Sequence, residues 1–518
     1  MEVPHFYFVE FTRKSVISAY YTGRTEAFSR GLVMKTLLAA AVVALAAPAL
    51  ADDNLALVNR ISWGETATAD TMGGLSAKAW LKAQLHPNDD DGLPPAIAAR
   101  IDALEISHTS IVTLNREVRD LQKRANAAKG TPQFDDARKA YDQRLNNLSR
   151  QAQTRSLLRD LYSRNQLKEQ LTWFWMNHFN VYDRKGDIRA QIGDYEDTIR
   201  AHALGKFRDL LVATVLHPAM LQYLDNAQNA AGHINENYAR EIMELHTLGV
   251  GSGYTQQDVQ ELARILSGLG VNLSGEPPKG RPRHGYYRGH DLTLFNPDRH
   301  DFGDKVFLGD RIAGQGLEEI NQAIAILSLE PPTAYFVSRQ LAQYFCCDAP
   351  PQRLVNAMAA TWKQSDGDIA AVLETLFASH DFQASLGHKF KDPMHWLVSA
   401  LRLTTSAPIT NEQPMLSWLN RMGEPLYGHE TPDGYPLTEA AWAGPGEMTT
   451  RFEIARAIGA GSAQLYQPDP APPSPALEQS LYYRAMPLAD TTRAAIAQGD
   501  TQADRNMLLL SSPDFMRR

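Results

Sequence analysis

Cysteine is nearly absent: the 518 residues hold two, adjacent at Cys346 and Cys347, which excludes a disulfide framework. Long apolar runs are also scarce. After one segment near the start, no stretch is long enough to anchor the chain in a membrane. Excess positive charge is missing as well, and a formal net charge of −8 argues against a general nucleic-acid binder. Familiar catalytic signatures are absent too. There is no His-x-x-x-His pair, no zinc-type cysteine spacing, no Gly-x-Ser-x-Gly elbow, no Walker loop and no dinucleotide fingerprint after a strand.

What is present begins with Met34–Ala51, MKTLLAAAVVALAAPALA. Lys35 starts it, an apolar run follows from Leu37 to Ala47, Pro48 breaks it, and Ala49-Leu50-Ala51 makes a small-x-small cleavage site. The segment reads as a secretory signal. Residues 1–33 carry no comparable pattern and read as an upstream extension outside the native protein, with 52–518 as the mature chain. The expected location is the periplasm or the extracellular space, with no membrane span after signal removal.

The mature chain reads as mainly α, one multi-helix globular domain with a long helical-hairpin arm and one small β-hairpin. Leu55–Leu85 suggests two amphipathic helices broken at Gly73-Gly74. In the arm, residues 97–165, Leu104, Ile111 and Val118 recur every seven residues beside Leu114 and Leu121, and a turn at Gly130-Thr131-Pro132 returns the chain through Tyr141, Leu145 and Leu148. Between Asn115 and Arg164 there are twelve Lys or Arg against six Asp or Glu, a basic arm in an acidic protein. The helix at Gln166–Val181, QLKEQLTWFWMNHFNV, has apolar surface on more than one face, so His178 near its end needs a buried partner. Within residues 271–316, Leu292–Phe295 and Lys305–Leu308 are expected to pair as a hairpin around NPDRHDFGD, with His300, Asp301 and Lys305 at or beside its tip. Cys346-Cys347 reads as a pair of small buried residues, because a bridge between neighbours strains the peptide.

The chemically richest stretch is His233–Leu266. Helical spacing from Asn235 to a stop at Gly249 gives Tyr238, Ile242 and Leu245 one apolar stripe. Glu236, Arg240, Glu244 and Thr247 fall on another face, with Glu241 and His246 at the flanks. Thr255-x-x-Asp258 opens a second helix as a capping box, with Val259, Leu262, Ala263 and Leu266 inward and Arg264 near its end. Three glutamates, two arginines and a histidine meet at a glycine joint. On an exposed helix, Glu236, Arg240 and Glu244 are only a charge ladder; in a buried one they belong to a site. The aromatic surroundings favour burial.

Several blocks resemble the bacterial family DUF1800: LVNRISWG at 57–64, QLKEQLTWFWMNHF at 166–179, HPAMLQYLDN at 217–226, NENYAREIMELHTLGVGSGYTQQDV at 235–259 and HDFGDKVFLG at 300–309, then PPTAYFVSRQLAQYF, PDGYP and LLLSSPDF. Cys346-Cys347 departs from the ordinary apolar or small residues expected there. The resemblance implies an exported helical protein and a partner of the DUF1501 type, but no established catalytic residues.

Two functions remain open. One is a hydrolase-like enzyme acting on an envelope or extracellular polymer. Glu236, Glu241 and Glu244 would supply carboxylates, Arg240 or Arg264 anion recognition, and His178, His246 or His300 proton transfer, with Asp301 and Lys305 beside them. A divalent metal could join the same His and Glu groups. The other is a non-catalytic envelope scaffold or partner protein whose Glu, Arg and His groups form structural networks.

Overall fold

Amphipathic sequence at helical period must bury its apolar stripe, and this chain does so by stacking many short helices around one core that runs from Leu55 to Met516. The computed structural model describes residues 54–66, 71–274, 276, 288–461, 463–467, 470, 472–473 and 475–518. Segment 34–51, read from the sequence as a secretory signal, and residues 1–33, read as an upstream extension, lie outside them. Residues from Ala51 to Arg518 cluster as one compact unit, and the fold is a mainly α single domain. Among the described residues no helix is long and apolar enough to cross a membrane.

The arm is built as its periodicity requires. Helices Ile111–Ala127 and Phe134–Tyr162 pack antiparallel over a small core of their own, Leu114, Val118, Tyr141, Leu145 and Leu148. Its first part differs from the expectation, because Pro95–Asp102 is a separate helix and Ser110 restarts the chain by capping Thr113 N. Much of the arm's positive charge is paired: Arg144 bonds Glu105 and Glu117, and Arg159 bonds Asp197. The Ser-x-x-Phe joints at 379–382 and 512–515 share one local solution, each serine Oγ accepting the phenylalanine N–H at 3.1 Å.

The expected hairpin between 292–295 and 305–308 does not form. Thr293–Phe295 (β3) lies between Leu269–Val271 (β1) and Arg288–His290 (β2), both antiparallel to it, while Lys305–Phe307 (β4) pairs with Asp310–Ile312 (β5). The reason is turn chemistry. Leu308 and Gly309 both take positive φ, 51° and 89°, as a two-residue turn between tightly paired strands requires. The true tip is therefore Leu308-Gly309. Within and just after the NPDRHDFG segment His300 and Lys305 are buried, while Phe302 stays exposed.

The central stretch also departs from a regular helix. After Asn237–Glu241 the chain widens into a π-turn over Ile242–Thr247, and Thr247 Oγ1 donates to Ile242 O, five residues back, at 2.7 Å. The wider turn rotates the later side chains. Thr247, expected on the polar face, and His246, expected at the flank, are buried, while Leu245 of the expected apolar stripe is only half-buried. Gly249 ends the segment at φ +86°, where a Cβ would stand 2.8 Å from the Phe336 ring. The second helix starts with the expected Thr255–Asp258 capping box.

Candidate active site

Four elements distant in sequence, the π-turn among them, meet here. The aromatic helix Gln166–His178 buries Phe174 and Trp175, which carries its polar end, Asn177-His178, into the interior. His178 Nε2 donates to the His246 carbonyl at 3.0 Å, tying that end to the π-turn. Burial holds the His178 imidazole down at about 4, against which the His246 carbonyl works. Burial also pushes His246 well below its ordinary value, with His178 adding to the shift. Both rings are neutral at pH 7, which suits them to packing more than to proton shuttling.

Asn177 fastens a third element, the PDGYP loop. Its side chain donates to Tyr435 O at 2.9 Å and accepts from Tyr435 N at 2.6 Å. Asn180 holds the preceding carbonyls, His429 O at 3.0 Å and Thr431 O at 2.8 Å. Gly434 presses so closely that a Cβ would lie 2.2 Å from Asn177 O. The helix Pro331–Phe345 completes the assembly.

Together these elements enclose an open cavity of about 890 Å3. Phe174, Tyr335, Phe336 and Tyr435 supply rings to its wall; Asn177, Arg339, Gln340 and Gln343 supply donors; Glu244 and Asp433 supply carboxylates from distant parts of the sequence. Glu241 stands beside them. Burial raises its carboxyl above the ordinary range, and the nearby Glu244 and Asp433 charges add to the shift against Arg240. Tyr254 is pushed up to about 12, first by burial and then by its bond to Glu244.

Glu236, Arg240 and Glu244 do form the i, i+4 ladder, at 3.3 Å in both pairs. Their side chains are 31%, 36% and 25% exposed, so the ladder is a half-exposed flank of the cavity and not the buried network its surroundings suggested. Gln256 from the second helix bridges it, bonding Arg240 at 2.8 Å and Glu236 at 2.6 Å.

His300, Asp301, Lys305 and Arg264 are placed elsewhere. His300 Nε2 and Lys305 Nζ both bond the buried Glu319, whose carboxylate also accepts from Gly316 N at 2.7 Å. Arg264 grips Asp301 at 2.8 Å and Glu261 at 2.6 Å. These four residues clamp the β region to helices Gln256–Ile265 and Leu317–Leu329 and do not line the cavity.

Behind the Asn177–Tyr435 wall lies a second space that sequence reasoning missed, a chamber of about 40 Å3 also lined by Asp160, Glu169, Glu196, Arg200 and Glu424. Glu169 is held by Arg200 through bonds of 2.8 and 2.6 Å. Asp160, Glu196 and Glu424 each keep one carboxyl oxygen without a partner among the described residues. Burial raises all three; Glu169 pushes Asp160 further, Asp392 pushes Glu424 further, and Arg155 and Arg159 oppose the rise at Glu196. Burial thus favours the protonated form of each. In the sequence, Asp160 and Glu196 look like ordinary polar positions of helices, and only Glu169 fell inside a block already singled out. Among the described residues no group of three or more His, Cys, Asp or Glu side chains is arranged to hold a metal ion.

Fold and site together define a mainly helical protein with an open, ring-lined cavity flanked by carboxylates and backed by buried acids. The chain matches the family described as Protein of unknown function (DUF1800) over residues 56–517, and it belongs to that family. No curated protein and no solved structure matches it.

Proposed function

We propose that this chain is an exported hydrolase that cleaves glycosidic bonds of an envelope or extracellular polysaccharide in the 890 Å3 cavity. The observation that carries the reading is that Glu244 and Asp433 line one cavity, with Glu241 near enough for both charges to act on it and its carboxyl raised first by burial. Glycoside hydrolysis needs one carboxyl that keeps its proton for the leaving oxygen and one carboxylate that acts as base or nucleophile. Glu241 is suited to the first role and Asp433 to the second. Glu244, held by Arg240, adds a charge that raises the Glu241 carboxyl further. Rings of Tyr335, Phe336 and Tyr435 offer flat apolar faces for sugar rings, and Arg339, Gln340 and Gln343 offer hydrogen bonds to hydroxyls. The Met34–Ala51 leader supports export; an N-terminus at Asp52 in the exported fraction is expected, and one before Met34 would remove that part of the reading.

The test is release of new reducing ends from purified peptidoglycan and envelope polysaccharide by the 52–518 chain. Glu241→Gln and Asp433→Asn are expected to lower the rate by about 100-fold or more with unchanged thermal melting. Wild-type rates in both variants would overturn the assignment.

A second reading has its own support. Val250 is 76% exposed at the cavity wall and Leu329, two residues before the cavity-lining Pro331, is 49% exposed, apolar surface suited to a protein partner. In this reading the chain is a non-catalytic envelope scaffold for a DUF1501-type exported protein. Co-purification lost in Val250→Asp, with no reducing-end release by wild type, would favour it.

A further inference from the structure

Cys346 and Cys347 close the Pro331–Phe345 helix, and their sulfurs lie 3.0 Å apart, nearer than two unbonded sulfurs in ordinary contact. Cys346 is buried and Cys347 partly exposed, and both are free thiols. The surroundings are cationic. The Arg60 guanidinium donates to Cys346 O at 3.1 Å and Phe345 O at 2.8 Å, and its charge, with that of Lys389, acts on Cys347. We propose that Cys346 and Cys347 form a thiol–disulfide exchange site that accepts a low-molecular-weight disulfide and closes to a vicinal disulfide.

Once ionised, the pair shares its one remaining proton. The bond from Cys347 brings Cys346 down to about 7, and the same bond pushes Cys347 up, so the first proton leaves the pair as a unit and one thiolate is present at neutral pH. Exposure sets the order of steps. The Cys347 sulfur, having passed its proton to Cys346 along the 3.0 Å contact, attacks one sulfur of the entering disulfide; that S–S bond breaks and one thiolate leaves. Cys346 then attacks the Cys347 sulfur of the mixed disulfide, expels the second thiolate and gives up its proton to it. Two protein sulfurs are oxidised, and the two sulfurs of the small disulfide are reduced. Adjacent Cα atoms are about 3.8 Å apart across a trans peptide, short of the usual ~4.4–6.8 Å for a disulfide. The product is therefore strained and readily reduced, as an exchange site requires and a structural bridge does not.

The test treats the native chain with glutathione disulfide and follows intact mass and free thiols. Wild type is expected to lose two hydrogens and hold no glutathione, while Cys346→Ala traps one glutathione on Cys347. A stable glutathione adduct on wild type, no reaction of wild type, or an unreactive Cys347 in the variant would each overturn the proposal. Phenylarsine oxide supplies a measurement without substitution. One arsenical bound per wild-type chain, blocking the glutathione reaction, supports a paired dithiol, and no uptake overturns it.

Discussion

Asn177 and Gly434 show how closely single residues set the cavity. The Asn177 amide spends both its donor and its acceptor on the Tyr435 backbone, which requires Gly434 to pass against Asn177 O at a distance no Cβ tolerates. Gly434 also takes φ +71°, a region L side chains avoid. Gly434→Ala is expected to cost about 1–3 kcal/mol and to lift the loop that carries Asp433 into the cavity. Gly423 has a similar φ, +79°, with nothing within 4 Å, so Gly423→Ala shows the conformational cost alone, about 1 kcal/mol. Denaturant melts of the two variants check this; equal losses would show that the Asn177 contact does not constrain the loop.

At the level of elements, the π-turn is the departure with the largest consequence. One extra residue per turn moves His246 and Thr247 inward, which brings the His246 carbonyl to His178 and joins the turn to the aromatic helix. Glu244 remains on the cavity side. Thr247 is fully buried and its hydroxyl stabilises the turn through Ile242 O. Thr247→Val keeps the shape and removes that bond, so a loss of about 1 kcal/mol is expected in urea unfolding. A variant as stable as wild type would mean the turn does not depend on the hydroxyl. Nothing in the local text distinguishes this turn from an α-helix, because the preference arises from burial between the aromatic helix and Pro331–Phe345. The capping box at Thr255 and the stop at Gly249 were legible, since each is a bond or a dihedral within a few residues.

Across the whole molecule, the buried acids make stability depend on pH in a stated direction. Glu424 is fully buried, faces Asp392, Arg451 and Glu447, and holds its proton far above the ordinary range. A carboxyl whose folded value exceeds its unfolded value of about 4.3 keeps more protons folded than unfolded in between, so stability falls as pH rises through that window. Glu424→Gln cannot ionise in either state. It is expected to gain stability over wild type at pH 8, with the difference closing as pH falls toward the unfolded carboxyl value; an equal difference at pH 8 and pH 5 would refute the neutral acid.

The sequence by itself determined the elements whose physics is local: the helical class, the hairpin arm with its small core, the caps and glycine stops, and the family to which the blocks at 57–64, 166–179 and 235–259 point. Helical period and capping act over about four residues, so they can be read along the chain. Only the tertiary structure decided which of the candidate residues meet. It placed Glu241 and Glu244 beside Asp433, turned His300, Asp301, Lys305 and Arg264 into a structural clamp, and divided the expected hairpin between two sheets. The physical reason is that burial and strand pairing are set by partners far away in the chain. Asp160 and Glu424 are pushed toward their protonated forms only because the fold buries both beside one chamber.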